Sequence, residues 1–255
     1  MSDAKRRAWA RRPTPAVYAA TVLVWTLASG TLLAGPYAAA PSSGVKGRVA
    51  GWEKLVPQVY ADAAKGDSHH YTWREPSPTV KQEFRRLSAD VARDLCVVAI
   101  GGGAGAAAPP HEPLSVKVTG GRASHSTIVL SPGSRLSFKN VDPFSHALYE
   151  VGNPQWVPSQ IAAGSTREWA ASAPGLHQIR DQLFPSFVVY VVVDPAAVEL
   201  AFPDHEGSFA MALPQGEYAI KAYFDGKPVG KNSVHVGERG LEMKEPLAVG
   251  GGEPK

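Results

Sequence analysis

The sequence predicts a mainly β protein built from small β-sandwiches, and two observations lead to this prediction. The 255-residue chain contains 25 glycines, 22 prolines and 44% hydrophobic residues, a composition typical of turn-rich β domains. Short apolar or alternating runs also recur between turn residues, among them Thr127–Leu130, residues 136–139, and Val188–Val193 before Asp194-Pro195. We therefore expect short strands packed face to face around apolar cores.

The N-terminal region predicts attachment to a membrane or export through it. Residues 1–15 form a basic segment, and residues 16–38 contain an uncharged apolar stretch of about 20 residues, long enough to span a bilayer as a transmembrane helix. The positive-inside rule places residues 1–15 in the cytoplasm and the rest of the chain outside it. We expect an uncleaved signal-anchor. The alternative is a signal peptide cut after residue 40, which leaves a secreted or periplasmic protein.

Charge and cysteine content exclude two classes of function. The net charge of +3 comes from residues 1–15, because the remainder carries 21 basic and 22 acidic residues. We therefore predict no nucleic-acid partner. The single cysteine, Cys96, rules out an internal disulfide and a cysteine zinc cluster, and we expect it to be a small buried hydrophobe.

Two segments precede the main β region. Residues 45–64 predict two strands, at residues 47–49 and 56–61. Residues 65–112 predict an amphipathic helix over residues 79–93, a strand over residues 95–100, and a linker rich in glycine, alanine and proline.

The chain shows no motif typical of an enzyme. It contains no Gly-x-Ser-x-Gly, no His-Glu-x-x-His, and no Gly-x-Gly-x-x-Gly between a strand and a helix. Its C-terminal carboxylates Asp204, Glu206 and Asp225 fall at predicted turns, where acidic residues are common. We therefore predict a non-catalytic protein.

Residues 113–195 resemble the plastocyanin-like cupredoxins, which implies a Greek-key β-sandwich. That family has an Asn-x-Asp turn before its first copper histidine, and a Pro-Gly strand before its other ligands. The matching residues are Asn140, Asp142, His146, Pro174, Gly175 and Pro185.

The resemblance also implies where the remaining copper ligands would lie. Asp181 stands at the cysteine position, Phe184 at the second histidine position and Phe187 at the methionine position. A blue-copper site needs a thiolate, two imidazoles and a weak axial thioether, so together with His146 these are degenerate copper-site positions. We expect no cofactor and no metal, with the two phenylalanines filling the space of the copper. The alternative is a non-standard copper site formed by His146 and Asp181.

Residues 196–249 resemble the carboxypeptidase regulatory-like, or transthyretin-like, β-sandwich. The matching features are Gly207-Ser208-Phe209, the turn at residues 213–216, and the strand with Tyr218. The family's opening strands are absent there, and residues 45–64 supply them, which implies a sandwich discontinuous in sequence. Exported bacterial proteins similar to the methylamine-utilisation type combine the two units in this way, which implies an inner-membrane protein with its C-terminal domains in the periplasm.

These features together predict a membrane-anchored, extracytoplasmic binding or structural protein. Its partners would be the inner membrane, through residues 16–38, and an unidentified envelope protein. Phe144, Tyr149 and Trp156 are candidates for the partner surface, and the alternative is that they cap the sandwich core. The alternative function is a periplasmic copper-binding or electron-transfer protein that uses His146 and Asp181.

Overall fold

A computed structural model describes residues 43–58, 89–101 and 112–250. The chain divides into two compact units, Met1–Ala39 and Ala40–Lys255, of which the first lies outside the described residues, as does the segment 16–38. Within the described ranges, no helix combines the length and the apolar character needed to cross a membrane.

The described part of the chain is mostly β-strand, with one short helix, α1 (Val91–Asp94), and a 3-10 turn at Trp52–Lys54. In chain order the strands are β1 (Gly44–Ala50), β2 (Leu95–Gly101), β3 (Leu114–Thr119), β4 (Arg122–Ala123), β5 (Thr127–Leu130), β6 (Arg135–Asn140), β7 (His146–Glu150), β8 (Ser159–Ile161), β9 (Thr166–Ala170), β10 (Gly175–Asp181), β11 (Val188–Val193), β12 (Ala197–Ala201), β13 (Ser208–Ala212), β14 (Gly216–Phe224), β15 (Lys227–Val236), β16 (Leu241–Glu242) and β17 (Leu247–Ala248).

The first sandwich packs two sheets around an apolar core. One sheet has the strand order β4-β3-β6-β9 and the other β5-β11-β10-β7-β8. Alternation fixes which side faces inward: Leu136 and Phe138 of β6 are fully buried, whereas Arg135 and Lys139 are exposed. The strands predicted at Thr127–Leu130, residues 136–139 and Val188–Val193 are confirmed.

The second sandwich takes strands from both sides of the first in sequence. Strand β1 pairs with β13, β16 and β17, and the opposite sheet has the order β12-β2-β14-β15. Its core contains residues from the N-terminal strands and from the C-terminal ones, including Val45, Val97, Leu213, Ile220, Val236 and Leu247. The second sandwich is therefore discontinuous in sequence.

The strand predicted at residues 56–61 is wrong where it is described. Val56 and Pro57 lie in no strand, because Pro57 has no backbone N–H to donate to a ladder, and the Val56 side chain is half exposed. Strand β2, predicted at residues 95–100, occupies the second sandwich instead and pairs with β14 along its whole length.

The helix predicted over residues 79–93 is also corrected where it is described, since residues 79–88 lie outside the described ranges. Asp90 has an extended backbone, and its carboxylate accepts hydrogen bonds from the N–H groups of Ala92 and Arg93. An aspartate in this position is an N-cap, so a separate short helix begins at Val91.

A small apolar cluster joins the two sandwiches. Val129 comes from β5 of the first sandwich. The other members come from the second sandwich, namely Cys96, Val98, Ala197 and Tyr223. Cys96 is completely buried there, and burial raises the pKa of its thiol to about 12. The prediction that this residue is a small buried hydrophobe is confirmed.

Candidate functional site

The first sandwich buries a histidine between two carboxylates at the position where the resemblance places a copper ligand. His146 opens β7 and is fully buried. Its Nδ1 lies 2.5 Å from Oδ2 of Asp181, at the end of β10, and its Nε2 lies 3.0 Å from Oδ2 of Asp142, in the loop before β7. We call these three residues the Asp–His–Asp cluster.

Asn140 holds the loop that carries Asp142. Its Nδ2 donates to the carbonyl oxygens of Phe144 and Ile161 at 2.8 and 2.9 Å, and its Oδ1 accepts from the Asp142 N–H at 2.9 Å. An asparagine side chain that accepts from the N–H two residues later forms an Asx-turn, which the Asn-x-Asp motif predicts. Asn140 is itself fully buried, so all of these bonds form away from water.

The turn between β3 and β4 binds the outer carboxylate of the cluster. Gly120 and Gly121 donate their N–H groups to Asp142 at 2.7 and 3.1 Å. Both glycines have positive φ, 59° and 66°, which a two-residue hairpin turn requires and which most side chains disfavour. Burial raises the pKa of Asp142, but the hydrogen bonds from the two glycines and from His146 outweigh it, so the pKa lies below its ordinary value.

The inner carboxylate is bound by backbone groups as well. Oδ1 of Asp181 accepts from the N–H groups of Ala147 and Leu183 at 3.1 and 2.8 Å. The three side chains of the Asp–His–Asp cluster therefore form hydrogen bonds both with one another and with the backbone of the surrounding turns.

Two phenylalanines cover the cluster, and a third lies in the core below it. The ring of Phe184 lies 4.8 Å from that of His146 and 5.1 Å from that of Phe144, which is 42% exposed. Phe187 is 1% exposed and belongs to the apolar core. Of the two residues expected to fill the space of a copper ion, Phe184 contacts the histidine ring and Phe187 supports the sandwich interior.

A second histidine–carboxylate cluster lies at the other end of β7. Glu150 accepts from the Nε1 of Trp169 at 2.7 Å, from the Nδ2 of Asn153 at 2.8 Å, and pairs with the Nδ1 of His177 at 2.6 Å. Burial raises the pKa of Glu150, but these three partners outweigh it and leave the pKa below its ordinary value. Sequence reasoning missed this cluster.

The three candidates for a partner surface do not form one patch. Phe144 lies before β7 and beside the Asp–His–Asp cluster, and Tyr149 lies on β7, half buried, opposite Arg180. Trp156 follows β7, donates its Nε1–H to the carbonyl of Glu168, and stacks under the guanidinium of Arg167 at 3.9 Å. Because Phe144 and Trp156 lie beyond opposite ends of the same strand, they do not present a common face.

The residues at the degenerate copper-site positions do not fit a blue-copper ion. Within the described residues, no three His, Cys, Asp or Glu side chains surround a common point suitable for a metal. The two ring nitrogens of His146 contact different carboxylates, so both nitrogens already have a protein partner. The only thiol of the chain, that of Cys96, lies in the second sandwich.

Comparisons with known proteins bear on the first sandwich. No protein-family profile and no curated protein matches the chain. Solved structures that match it include the Cu(I) form of an amicyanin mutant, 12% identical over 40% of this chain and 99% of that one, with a TM-score of 0.30. A purple cupredoxin from Nitrosopumilus maritimus is 18% identical over 32% of this chain and 99% of that one, with a TM-score of 0.28.

A Cu-containing nitrite reductase from Thermus scotoductus also matches, 17% identical over 37% of this chain and 25% of the enzyme, with a TM-score of 0.31. The chain thus spans about a quarter of that protein. The matches contradict the prediction that the chain has no cofactor, since the structures named are those of copper proteins. That prediction rested on the loss of blue-copper ligands at fixed positions, a loss that does not extend to copper held in another way. It is withdrawn, and the first sandwich is described by its own topology, a four-stranded sheet packed on a five-stranded one.

Proposed function

We propose that this chain is a non-catalytic, membrane-anchored extracytoplasmic protein whose cupredoxin-like sandwich serves binding or structure and not blue-copper electron transfer. The observation that carries the proposal is the hydrogen bond between His146 and Asp181. In this pair, the carboxylate of Asp181, at the thiolate position, forms a hydrogen bond with a ring nitrogen of His146, the histidine that is kept at a copper-ligand position.

The chemistry of blue copper supports this assignment. Such a site depends on a thiolate in a trigonal arrangement with two imidazoles. Here Asp181 is 2% exposed and already accepts from Ala147, Leu183 and His146, so its oxygens are occupied by protein donors. A copper ion at this position would have to break those hydrogen bonds before it gained a ligand.

Location and partners follow from the sequence features. The basic residues 1–15 before the apolar segment 16–38 support a single-pass anchor in a bacterial inner membrane, with the two sandwiches in the periplasm. The resemblance of residues 196–249 to a carboxypeptidase regulatory-like domain supports a role in interaction with an envelope protein. A cleaved signal, with the same domains free in the periplasm, is the alternative.

Copper binding through His146 and Asp181 is the second candidate function. An imidazole and a carboxylate are both usable ligands for Cu(II), and here they are 2.5 Å apart. A metal at this pair would replace the proton that the two groups now share. This candidate predicts a weakly coloured Cu(II) site with one imidazole ligand.

A titration of the full chain with Cu(II) separates the two candidates. We expect no intense visible absorption, because the band of a blue site is a thiolate-to-copper charge transfer and no thiolate lies there. Electron paramagnetic resonance then reports whether any Cu(II) that binds depends on His146. The matched control for His146→Gln is His235→Gln, which alters an exposed histidine of the second sandwich.

Two results would count against the proposal. An intense blue band would overturn it outright. Stoichiometric Cu(II) with nitrogen coupling that is lost in His146→Gln and kept in His235→Gln, with both variants folded by circular dichroism, would instead establish the copper-binding candidate.

A further inference from the structure

The outward face of the sheet β4-β3-β6-β9 concentrates positive charge. Four of its exposed side chains are basic and one is acidic, which leaves an excess of three positive charges, although the residues beyond 15 carry 21 basic and 22 acidic side chains in all. We call this surface the basic face. Its charged residues are Lys117, Arg122, Arg135, Lys139 and Glu168.

The strand register brings like charges together on this face. Lys117 and Lys139 are directly paired positions on the parallel strands β3 and β6. Neighbouring strands are about 4.8 Å apart, and like charges at paired positions repel. Arg135 pairs with Glu168 at 3.6 Å, but both side chains are about half exposed, so this pair neutralises little of the field. An anionic surface that approaches this face would relieve the repulsion between the two lysines.

The other side chains of the basic face are small and polar, and this composition favours an anionic surface over a protein as its partner. Between the charges lie the hydroxyl residues Ser115, Thr119, Ser137 and Thr166. The described large hydrophobics that are exposed lie outside these four strands, at Val56, Val141, Phe144, Val151, Val157, Leu176 and Leu183. Protein interfaces are rich in aromatic residues and methionine at their centres and poor in lysine, so this face lacks their composition.

We infer that the basic face lies on a bilayer surface that contains anionic phospholipid. The inference rests on the proposed function, because a membrane anchor places the sandwiches within reach of the lipid headgroups. Each lysine or arginine near an anionic bilayer contributes modestly and the contributions add, so the face supports a weak, salt-sensitive contact that tethering makes effective. Short polar side chains between the basic residues let several cations approach the headgroups at once.

Thiol accessibility on the full chain tests the contact directly. Ser115→Cys places a thiol on the basic face beside Lys117, and Ser233→Cys places a matched thiol on the exposed surface of β15 in the second sandwich. The native Cys96 gives little background, since it is fully buried and its thiolate form is suppressed. Each variant is incorporated into phosphatidylcholine vesicles with and without phosphatidylglycerol and treated with a water-soluble maleimide.

We expect the labelling rate at Ser115→Cys to fall by roughly tenfold in the vesicles with phosphatidylglycerol, and to recover in high salt because screening weakens the attraction. The rate at Ser233→Cys should not change. Adding Lys117→Glu and Lys139→Glu to the Ser115→Cys chain should remove the protection, whereas Lys231→Glu, on β15, should leave it in place.

The outcomes separate this inference from the proposed anchor. Flotation of the vesicles in a density gradient shows whether the chain is bound to them. If the chain floats with both kinds of vesicle and Ser115→Cys labels equally fast in both, the anchor stands and the lipid contact is wrong. If the chain floats only with phosphatidylglycerol at low salt, the anchor is wrong and the lipid contact stands. Protection in native envelope membranes without protection in anionic vesicles would identify an acidic protein as the occupant and overturn the lipid assignment.

Discussion

The two sandwiches have the same kind of architecture but different interiors. Apolar residues form the core of the second sandwich, from Val45 on β1 to Leu247 on β17, and one buried carboxylate, Asp94, lies beside it in α1. The first sandwich combines an apolar core with four charged side chains that are almost fully buried, namely Asp142, His146, Glu150 and Asp181. Among the described residues the buried charges are therefore concentrated in the first sandwich, where they serve a local purpose.

That purpose is to join loops at the ends of the sheets. The Asp–His–Asp cluster connects the β3–β4 turn, the β6–β7 loop and the end of β10 through side-chain and backbone hydrogen bonds. The imidazole of His146 is the partner that the two carboxylates share, so the stability of this end of the sandwich depends on the hydrogen bonds of that ring.

The largest expected effect comes from removing the histidine at the centre of that cluster. His146→Ala should reduce the free energy of unfolding by about 3–5 kcal/mol, because it leaves two buried carboxylates without their shared partner. Full burial of the ring between two carboxylates is the reason for a loss of this size. Chemical denaturation of the full chain, followed by circular dichroism, measures the difference.

The second sandwich offers a matched control for this substitution. His235 pairs with Glu217 at 2.6 Å, nearly the distance in the buried pair, but the two side chains are 70% and 77% exposed. His235→Ala should therefore cost less than about 1 kcal/mol. Equal losses for the two variants would mean that burial does not set the strength of these pairs, and the contrast between the sandwiches would fail.

The next effect compares aromatic packing in the two interiors. Phe187→Ala in the first sandwich and Phe209→Ala in the second should each cost about 3–5 kcal/mol, since both rings are almost completely buried. Phe184→Ala should cost about 1–2 kcal/mol because its ring is only partly buried. Denaturation midpoints of the three variants give the order. A larger loss at Phe184 than at Phe187 would show that cover over the Asp–His–Asp cluster outweighs core packing.

Local patterns predicted the elements better than their partners. The Asp225-Gly226 turn appears as a two-residue hairpin loop with φ of 47° and 74°, as the dipeptide indicates. Strand β2 was predicted, but its place in the second sandwich was given to residues 56–61. The pairing of β2 with β14 joins residues more than a hundred positions apart. The sequence of an apolar run does not indicate which strand it will pair with.

The same limit applies to the candidate site. The resemblance to a known family identified His146 and Asp181 as neighbours, because both stand at fixed distances from recognisable turns. The bond between Glu150 and His177 had no such frame, since one residue ends a strand and the other stands where an aromatic side chain is usual. Neither position gives a local signal of charge pairing, and only the packing of β7 against β10 brings the strands together.

The smallest expected effect separates two acid transitions, one at the junction of the sandwiches and one inside the first. His125, between β4 and β5, stacks on Phe202 of the β12–β13 loop with ring centroids 3.6 Å apart, and its Nδ1 is buried without a hydrogen-bond partner among the described residues. Burial lowers the pKa of His125 from its ordinary value of 6.5, and a hydrogen bond to the backbone of Ala92 opposes this only in part.

A lowered pKa in the folded state means that the unfolded chain binds the proton first. The contribution of His125 is therefore fully present above pH 6.5 and is lost as the pH falls through its folded pKa. The pKa values of Asp142 and Glu150 are lowered from 3.8 and 4.5, so their contributions are lost only in more acidic solution. We expect the unfolding free energy to fall between pH ~7 and ~5, by no more than about 1.4 kcal/mol per pH unit. The variant His125→Phe keeps a flat ring against Phe202 and cannot be protonated, so it should lose this dependence and retain the acid transition of the carboxylates. Urea midpoints at several pH values give the result, and an unchanged slope in His125→Phe would place the proton uptake elsewhere in the chain.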